Sequence, residues 1–144
     1  MKKFLSVSLL FFTTTSCLAA QDYSERFIKS FAACTPHTET SKIEDSNGNS
    51  LRITKIIQGV VEHNCVYKQV IVRPTARDIT VCTFPKQTSQ EMVKIMQEDD
   101  GQKYNINFEK NGQVIPLRGL TKSQIIWTQV LNADNICKRQ ILSR

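Results

Sequence analysis

The chain carries no phosphate-binding glycine loop, no G-x-S-x-G elbow and no H-E-x-x-H pair. Those absences exclude the P-loop, the α/β-hydrolase nucleophile and the zincin metal site as readings of the sequence. Its two histidines, His37 and His63, are too few to build a histidine-rich metal centre unaided. No C-x-x-C half-site occurs, so the cysteines read as disulfide partners rather than zinc ligands. Asp99-Asp100-Gly101 lacks the regularly spaced oxygen ligands of a calcium loop and reads as a solvated turn. No cofactor is expected. Internal repeats and low-complexity segments are absent too.

Long apolar runs are also missing. Phe4 to Phe12 extends about nine residues and is broken by serines, well short of the ~20 that span a bilayer as a helix. It sits between Met1-Lys2-Lys3 and the small, polar stretch Thr13 to Ala20, the pattern of a secretory signal peptide cleaved before Gln21. No transmembrane segment is expected in the mature chain. Thr14-Thr15-Ser16-Cys17 resembles a bacterial lipobox, with Thr14 where that motif favours leucine. Lipidation of Cys17 is therefore the alternative to ordinary cleavage at Ala20. Export to the periplasm is the expectation; secretion to the medium, or an outer-membrane lipoprotein anchored through Cys17, are the alternatives.

Removal of residues 1–20 from 144 leaves 124, enough for one domain, and the formal charge falls from +6 to +4 as Lys2 and Lys3 leave. The remaining basic residues, among them Lys55, Lys68, Lys94 and Arg139, are scattered along the chain. A solvated basic surface is expected and no nucleic-acid partner, which would want clustered cations with aromatics between them. The mature chain keeps four of the five cysteines: Cys34, Cys65, Cys82 and Cys137. An even number in an exported chain implies two structural disulfides, with three pairings open.

Along the mature chain, Asp22-Tyr23-Ser24-Glu25 reads as an acidic capping box with Asp22 at the N-cap. Tyr23, Phe27, Phe31 and Cys34 then recur at helical spacing, and Pro36 ends the helix. Thr38 to Asp45 is a weak strand, and Ser46-Asn47-Gly48-Asn49 a turn. Three strands follow between Ser50 and Phe84. Leu51, Ile53, Ile57 and Val61 share one face of the first, and Gly59 marks a bulge or a close backbone approach. Cys65 to Val72 and Ile79 to Phe84 form the second and third. If their hairpin centres on Arg73 and Pro74, Cys65 and Cys82 fall opposite one another.

Thr88-Ser89-Gln90-Glu91 reads as a capping box opening a second helix, which leaves through Glu98-Asp99-Asp100-Gly101. Tyr104, Ile106 and Phe108 alternate as a strand with one buried face, Asn111-Gly112 turns it, and Pro116 marks the returning strand as short or at an edge. Thr121-Lys122-Ser123-Gln124 caps a short third helix, and Cys137 lies in the tail.

The expected fold is α+β. A three-strand antiparallel meander carries helices on one face, is stapled by disulfides, and is followed by a C-terminal hairpin and short helix. Residues 1–20 are the signal and 21–144 a single domain, with 21–97 as its core module and 102–144 as a C-terminal extension. Cys65–Cys82 and Cys34–Cys137 are the expected pairs. Cys34–Cys65 or Cys34–Cys82, with Cys137 on the cysteine left over, stay open.

Cys34-Thr35-Pro36 at a helix end, Ile57-Gln58-Gly59 in a strand, Cys65-Val66-Tyr67 in the next and Cys82 before a second helix form a pattern. It resembles a group of small exported bacterial proteins of no established activity, over about half of the mature chain. The resemblance implies export and an α-β-β-β-α order. It implies no chemistry.

Candidate chemistry is sparse. His37 lies three residues from Cys34, and a cysteine near a histidine can act as a nucleophile with its base, but oxidation on export would remove the thiolate and no catalytic sequence context surrounds Cys34. Glu62-His63-x-Cys65 holds three metal-ligand types in what reads as a polar turn. No convergent carboxylate pair is singled out. Trp127 and Tyr67 are the candidate partner contacts, with a core role the competing reading. No catalytic residue is assigned. The expectation is a non-catalytic binding or envelope-assembly factor, with a partner in the envelope. A periplasmic or secreted enzyme, perhaps a hydrolase, is the alternative.

Overall fold

Two sheets and three helices make up the computed structural model, which describes residues 23–44 and 47–143. The segment read as a signal (residues 1–20), with Cys17, and the expected N-cap Asp22 lie outside the described residues. The elements run α1 (Glu25–Ala33), β1 (His37–Glu44), β2 (Ser50–Val61), β3 (Asn64–Val72), β4 (Ala76–Phe84) and α2 (Lys86–Gln97). Then come β5 (Tyr104–Lys110), β6 (Gln113–Leu120), α3 (Lys122–Leu131) and β7 (Cys137–Ser143). The fold is α+β, as the alternating strand patterns and capped helices led us to expect.

The main sheet has five antiparallel strands in the order β1-β2-β3-β4-β7. Thr38 to Asp45 does contain an edge strand. The segment after Cys137, read as a tail, is the opposite edge strand, paired along β4 from Ala76↔Ser143 to Cys82↔Cys137. The β5–β6 hairpin stands apart as a two-stranded sheet. Its turn uses Asn111 at φ 52° and Gly112 at φ 75°, the left-handed pair that matches strand twist in a two-residue hairpin. Tyr104, Ile106 and Phe108 are only half-buried there, and Val114 is 62% exposed.

α1 starts two residues later than its sequence suggests. Ser24, not Asp22, is the N-cap, its hydroxyl accepting the Phe27 N–H at 3.0 Å. The helix ends at Cys34 in the left-handed region (φ 49°), where the Cys34 and Thr35 N–H groups return to Phe31 and Ser30 carbonyls. α2 likewise begins before the Thr88–Glu91 box. Pro85 occupies its N-cap without a side-chain bond, and Ser89 turns its hydroxyl back to the Lys86 carbonyl. The capping box expected at Thr121 is complete: Thr121 accepts from Gln124 N–H, and Gln124 accepts from Thr121 N–H.

Helices cover one end of one sheet face. Phe27 and Phe31, four residues apart on α1, are fully buried with Tyr67, Cys82 and Phe84 of the sheet and Met92 of α2. Trp127 of α3 is the hub: its ring lies 4.9–6.0 Å from those of Tyr23, Phe27, Phe31, Tyr67 and Phe84. Each such pair contributes about 0.5–1.5 kcal/mol beyond area burial. The Trp127 indole N–H finds the Met96 sulfur at 3.1 Å. Asp99, in the exit turn of α2, accepts from Gly101 N–H and from Ser123 N–H, each at 2.9 Å. One carboxylate thus closes α2's exit and satisfies a free donor of α3.

Candidate functional site

The four described cysteines are all in disulfides, not in the preferred pairs but in one of the sets left open: Cys34 joins Cys65, and Cys82 joins Cys137. The β3–β4 register explains the correction. Its turn centres on Pro74 and Thr75, with the Arg73 N–H on the Ala76 carbonyl, so Cys65 opposes Phe84 and Cys82 opposes Tyr67. A one-residue shift of the turn moves every partner by two. Cys65 and Cys82 keep the same face but lose direct opposition, and each finds a partner from a flanking element. With Cys34 oxidised, its pairing with His37 as nucleophile and base is excluded.

His37 has another occupation. Its Nε2 lies 3.3 Å from Glu39 Oε2, and that same oxygen accepts the Ser24 hydroxyl at 2.5 Å. Burial is the largest influence on the Glu39 carboxyl and raises its pKa, but the bonds from Ser24 and His37 outweigh it. The net result is a carboxylate held below its usual range. The carboxylate stands between serine and histidine, so His37 cannot take the Ser24 proton. Ser24 also spends its lone pair on the α1 cap. This cluster fastens α1 to β1 and does not activate a nucleophile. Beside it, Tyr23, Glu39, Ser41, Ile53, Lys55 and Gln69 line an open cleft of about 550 Å³. The Lys55 ammonium lies 4.1 Å from the Tyr23 ring centroid.

Tyr67 and Trp127 are core residues, 0% and 2% exposed. Burial first, and the Glu39 charge second, push the Tyr67 phenol well above its usual range, so it donates as a neutral group to Gln69 Oε1 at 3.0 Å. Among the described residues no three His, Cys, Asp or Glu side chains converge as a metal site. Glu62 and His63 instead make the tight β2–β3 turn.

That turn holds two consecutive non-glycine residues at positive φ. Glu62 (φ 49°) and His63 (φ 68°) both occupy the left-handed region, which a two-residue hairpin demands and which asparagine and glycine usually fill. Just before them, the β2–β3 register shifts between Ile57 and Gly59, and Gly59 sits at φ +108°. A Cβ at Gly59 would lie 3.6 Å from Pro36 Cγ, so the bulge seats β2 against the segment after α1. The sequence placed Val61 on the face of Leu51 and Ile57; beyond the bulge that continuity is broken. Val60 and Val61 emerge 62% and 54% exposed. The Cys34–Cys65 disulfide ties the base of this tip to the end of α1. A hollow of about 360 Å³ beside it is lined by Ala33, Val60, His63, Cys65, Lys86 and Gln90, among others.

At the tip Val60, opposite Cys65, borders the hollow, and Val61, the next strand residue, faces the other side of the ribbon. The tip thus offers an apolar side chain on each face, one of them beside a hollow able to seat a complementary side chain. The sequence marks Gly59 as a bulge or a close backbone approach, and it is both; the polar turn read from Glu62 is the two-residue Glu62-His63 turn, with Asn64 already in β3. Sequence reasoning missed the exposure of Val60 and Val61, which the bulge decides. Comparison of the chain with protein-family models, with curated proteins and with solved structures gives no match.

Proposed function

We propose that the protein is an exported, non-catalytic binding factor of the bacterial envelope, working in the periplasm, and that the β2–β3 tip holds its protein partner. The observation that carries this reading is the exposed Val60–Val61 pair, presented by a two-residue turn and braced from below by Cys34–Cys65. The chain holds these two solvent-facing valines out with two features in succession: a bulge that places Gly59 at positive φ, and a tight turn. Both disulfides fit an oxidising compartment. Among the described residues no helix is long and apolar enough to cross a membrane.

The candidate nucleophiles and bases are otherwise engaged, which supports binding over chemistry: Cys34 in a disulfide, Ser24 and His37 on Glu39. The test is a cross-linked pull-down from the native cell envelope with the wild-type protein and with Val60→Ser/Val61→Ser. A reproducible partner that the double variant loses supports the reading. Retention of that partner by the variant, or its loss in a His37→Ala protein, whose substitution lies on β1 away from the tip, overturns it.

A further inference from the structure

The sheet face that the helices leave bare gathers cations. Alternate residues of each strand point away from α1, α2 and α3. On that outer side, Lys42, Arg52 and Arg77 share one cross-strand row, through the pairs Lys42↔Arg52, Arg52↔Val72 and Val72↔Arg77. Lys68 and Lys138 share a second row with Ile56 and Val81 between and beside them. The basic residues that looked scattered in sequence are thus assembled by register. Glu44, at the margin of β1, is the carboxylate on this side among the strand residues.

Lys42 and Arg52 stand directly opposite one another, an arrangement of like charges that weakens a strand pair. Neither they, Lys68 nor Arg77 has an ion-pair partner among the described residues. Lys138 donates to the Asp134 carbonyl at 2.8 Å. Between the cationic rows lie Val70 and Ile79, and Leu142 is 41% exposed at the end of the first row. With strands ~4.8 Å apart, the first row spreads its charges over about 14 Å. A hollow of about 260 Å³ at its margin is lined by Lys42, Ser50, Arg52, Val72, Arg73 and Pro74, which adds a further cation.

From this arrangement we infer that the outer sheet face docks onto an anionic lipid surface, with the Lys42–Arg52–Arg73 hollow receiving a phosphate-bearing headgroup. The charge pattern selects this occupant. A second copy laid face to face would set these cations against their own kind. The face has no aromatic side chain on which nucleic-acid bases could stack. A single acidic segment would follow one row, with the Val70–Ile79 row separating it from the other, whereas headgroup phosphates form a plane that extends over both.

The test is vesicle co-sedimentation of the chain beginning at Gln21, with both disulfides confirmed by non-reducing peptide mapping. Phosphatidylglycerol–phosphatidylcholine vesicles are compared with pure phosphatidylcholine. We expect binding to the anionic vesicles alone, weakened by salt. Lys42→Glu/Arg52→Glu should lose at least about 25-fold, at about fivefold per cation removed. Lys29→Glu/Lys94→Glu, an equal change of net charge on the exposed surface of the helices, should bind as the parent does. Equal binding to phosphatidylcholine, no binding at all, an unaffected sheet-face variant, or an equal loss in the helix-face variant overturns the inference. So does displacement by poly-glutamate at matched charge, which would assign the face to an acidic protein.

Discussion

Cys82 and Cys137 stand directly opposite one another on β4 and β7 and are joined by a disulfide. Beyond Cys137 every residue of β7 is exposed, so backbone pairing, the Arg139–Asp78 ion pair and this bond hold the strand at its edge. Replacing both cysteines by alanine should lower unfolding stability by about 4 kcal/mol in the chain-entropy model. The loss is read from urea unfolding. Amides of β7 should then exchange with deuterium ahead of those of β2 and β3. Unchanged protection of β7 would show that Arg139 on the buried Asp78 suffices to hold it.

The β2–β3 turn gives a gain rather than a loss. Non-glycine residues in the left-handed region cost about 1–2 kcal/mol each, and asparagine and glycine relieve most of that. Glu62→Asn with His63→Gly should therefore stabilise the protein by about 1 kcal/mol, read as a higher urea midpoint.

Gly59 tests the bulge itself. Its φ of +108° is a conformation that side chains rarely adopt, while the space around it is ordinary, with Pro36 Cγ at 3.6 Å from the added Cβ. Gly59→Ala should cost about 1–3 kcal/mol through the backbone alone. A smaller loss in urea unfolding would mean that β2 can close its bulge.

The elements that could be read from sequence are those whose residues declare themselves locally. Leu51 to Phe84 alternates and is punctuated by turns, so three strands were visible; Thr121 to Gln124 bonds only within itself, so its cap was correct. The errors are long-range. Lys138, Arg139 and Gln140 give β7 a polar start, and only β4 beside it makes it a strand. Thr88 and Glu91 fit a capping pattern but sit inside a helix that Pro85 already begins. The Arg73-Pro74-Thr75 turn admits two centres one residue apart, and that ambiguity alone exchanged the disulfide partners. The tip and the basic sheet face both depend on registers that no local pattern encodes.

Acid should weaken the fold through Glu39 and Asp99. For Asp99, burial acts first to raise the pKa, but the hydrogen bonds from Ser123 and Gly101 outweigh it; the balance at Glu39 has the same sign. Both folded-state values are depressed, so the unfolded chain binds more protons near the ordinary values of 4.5 and 3.8. Stability is full above those values and is lost as the pH falls through and below them. Glu39→Gln/Asp99→Asn should lower the urea midpoint at pH 7, and its deficit against the wild type should shrink as the solution is acidified. A deficit that stays constant with pH would contradict the assignment.

The binding role of the β2–β3 tip is tested most directly by placing a photo-crosslinking amino acid at Val61 and irradiating intact cells. The account predicts one discrete adduct in the envelope fraction, with none from the same probe at Gln102, an exposed position elsewhere on the molecule. No adduct from Val61, or the same adduct from both positions, would contradict it.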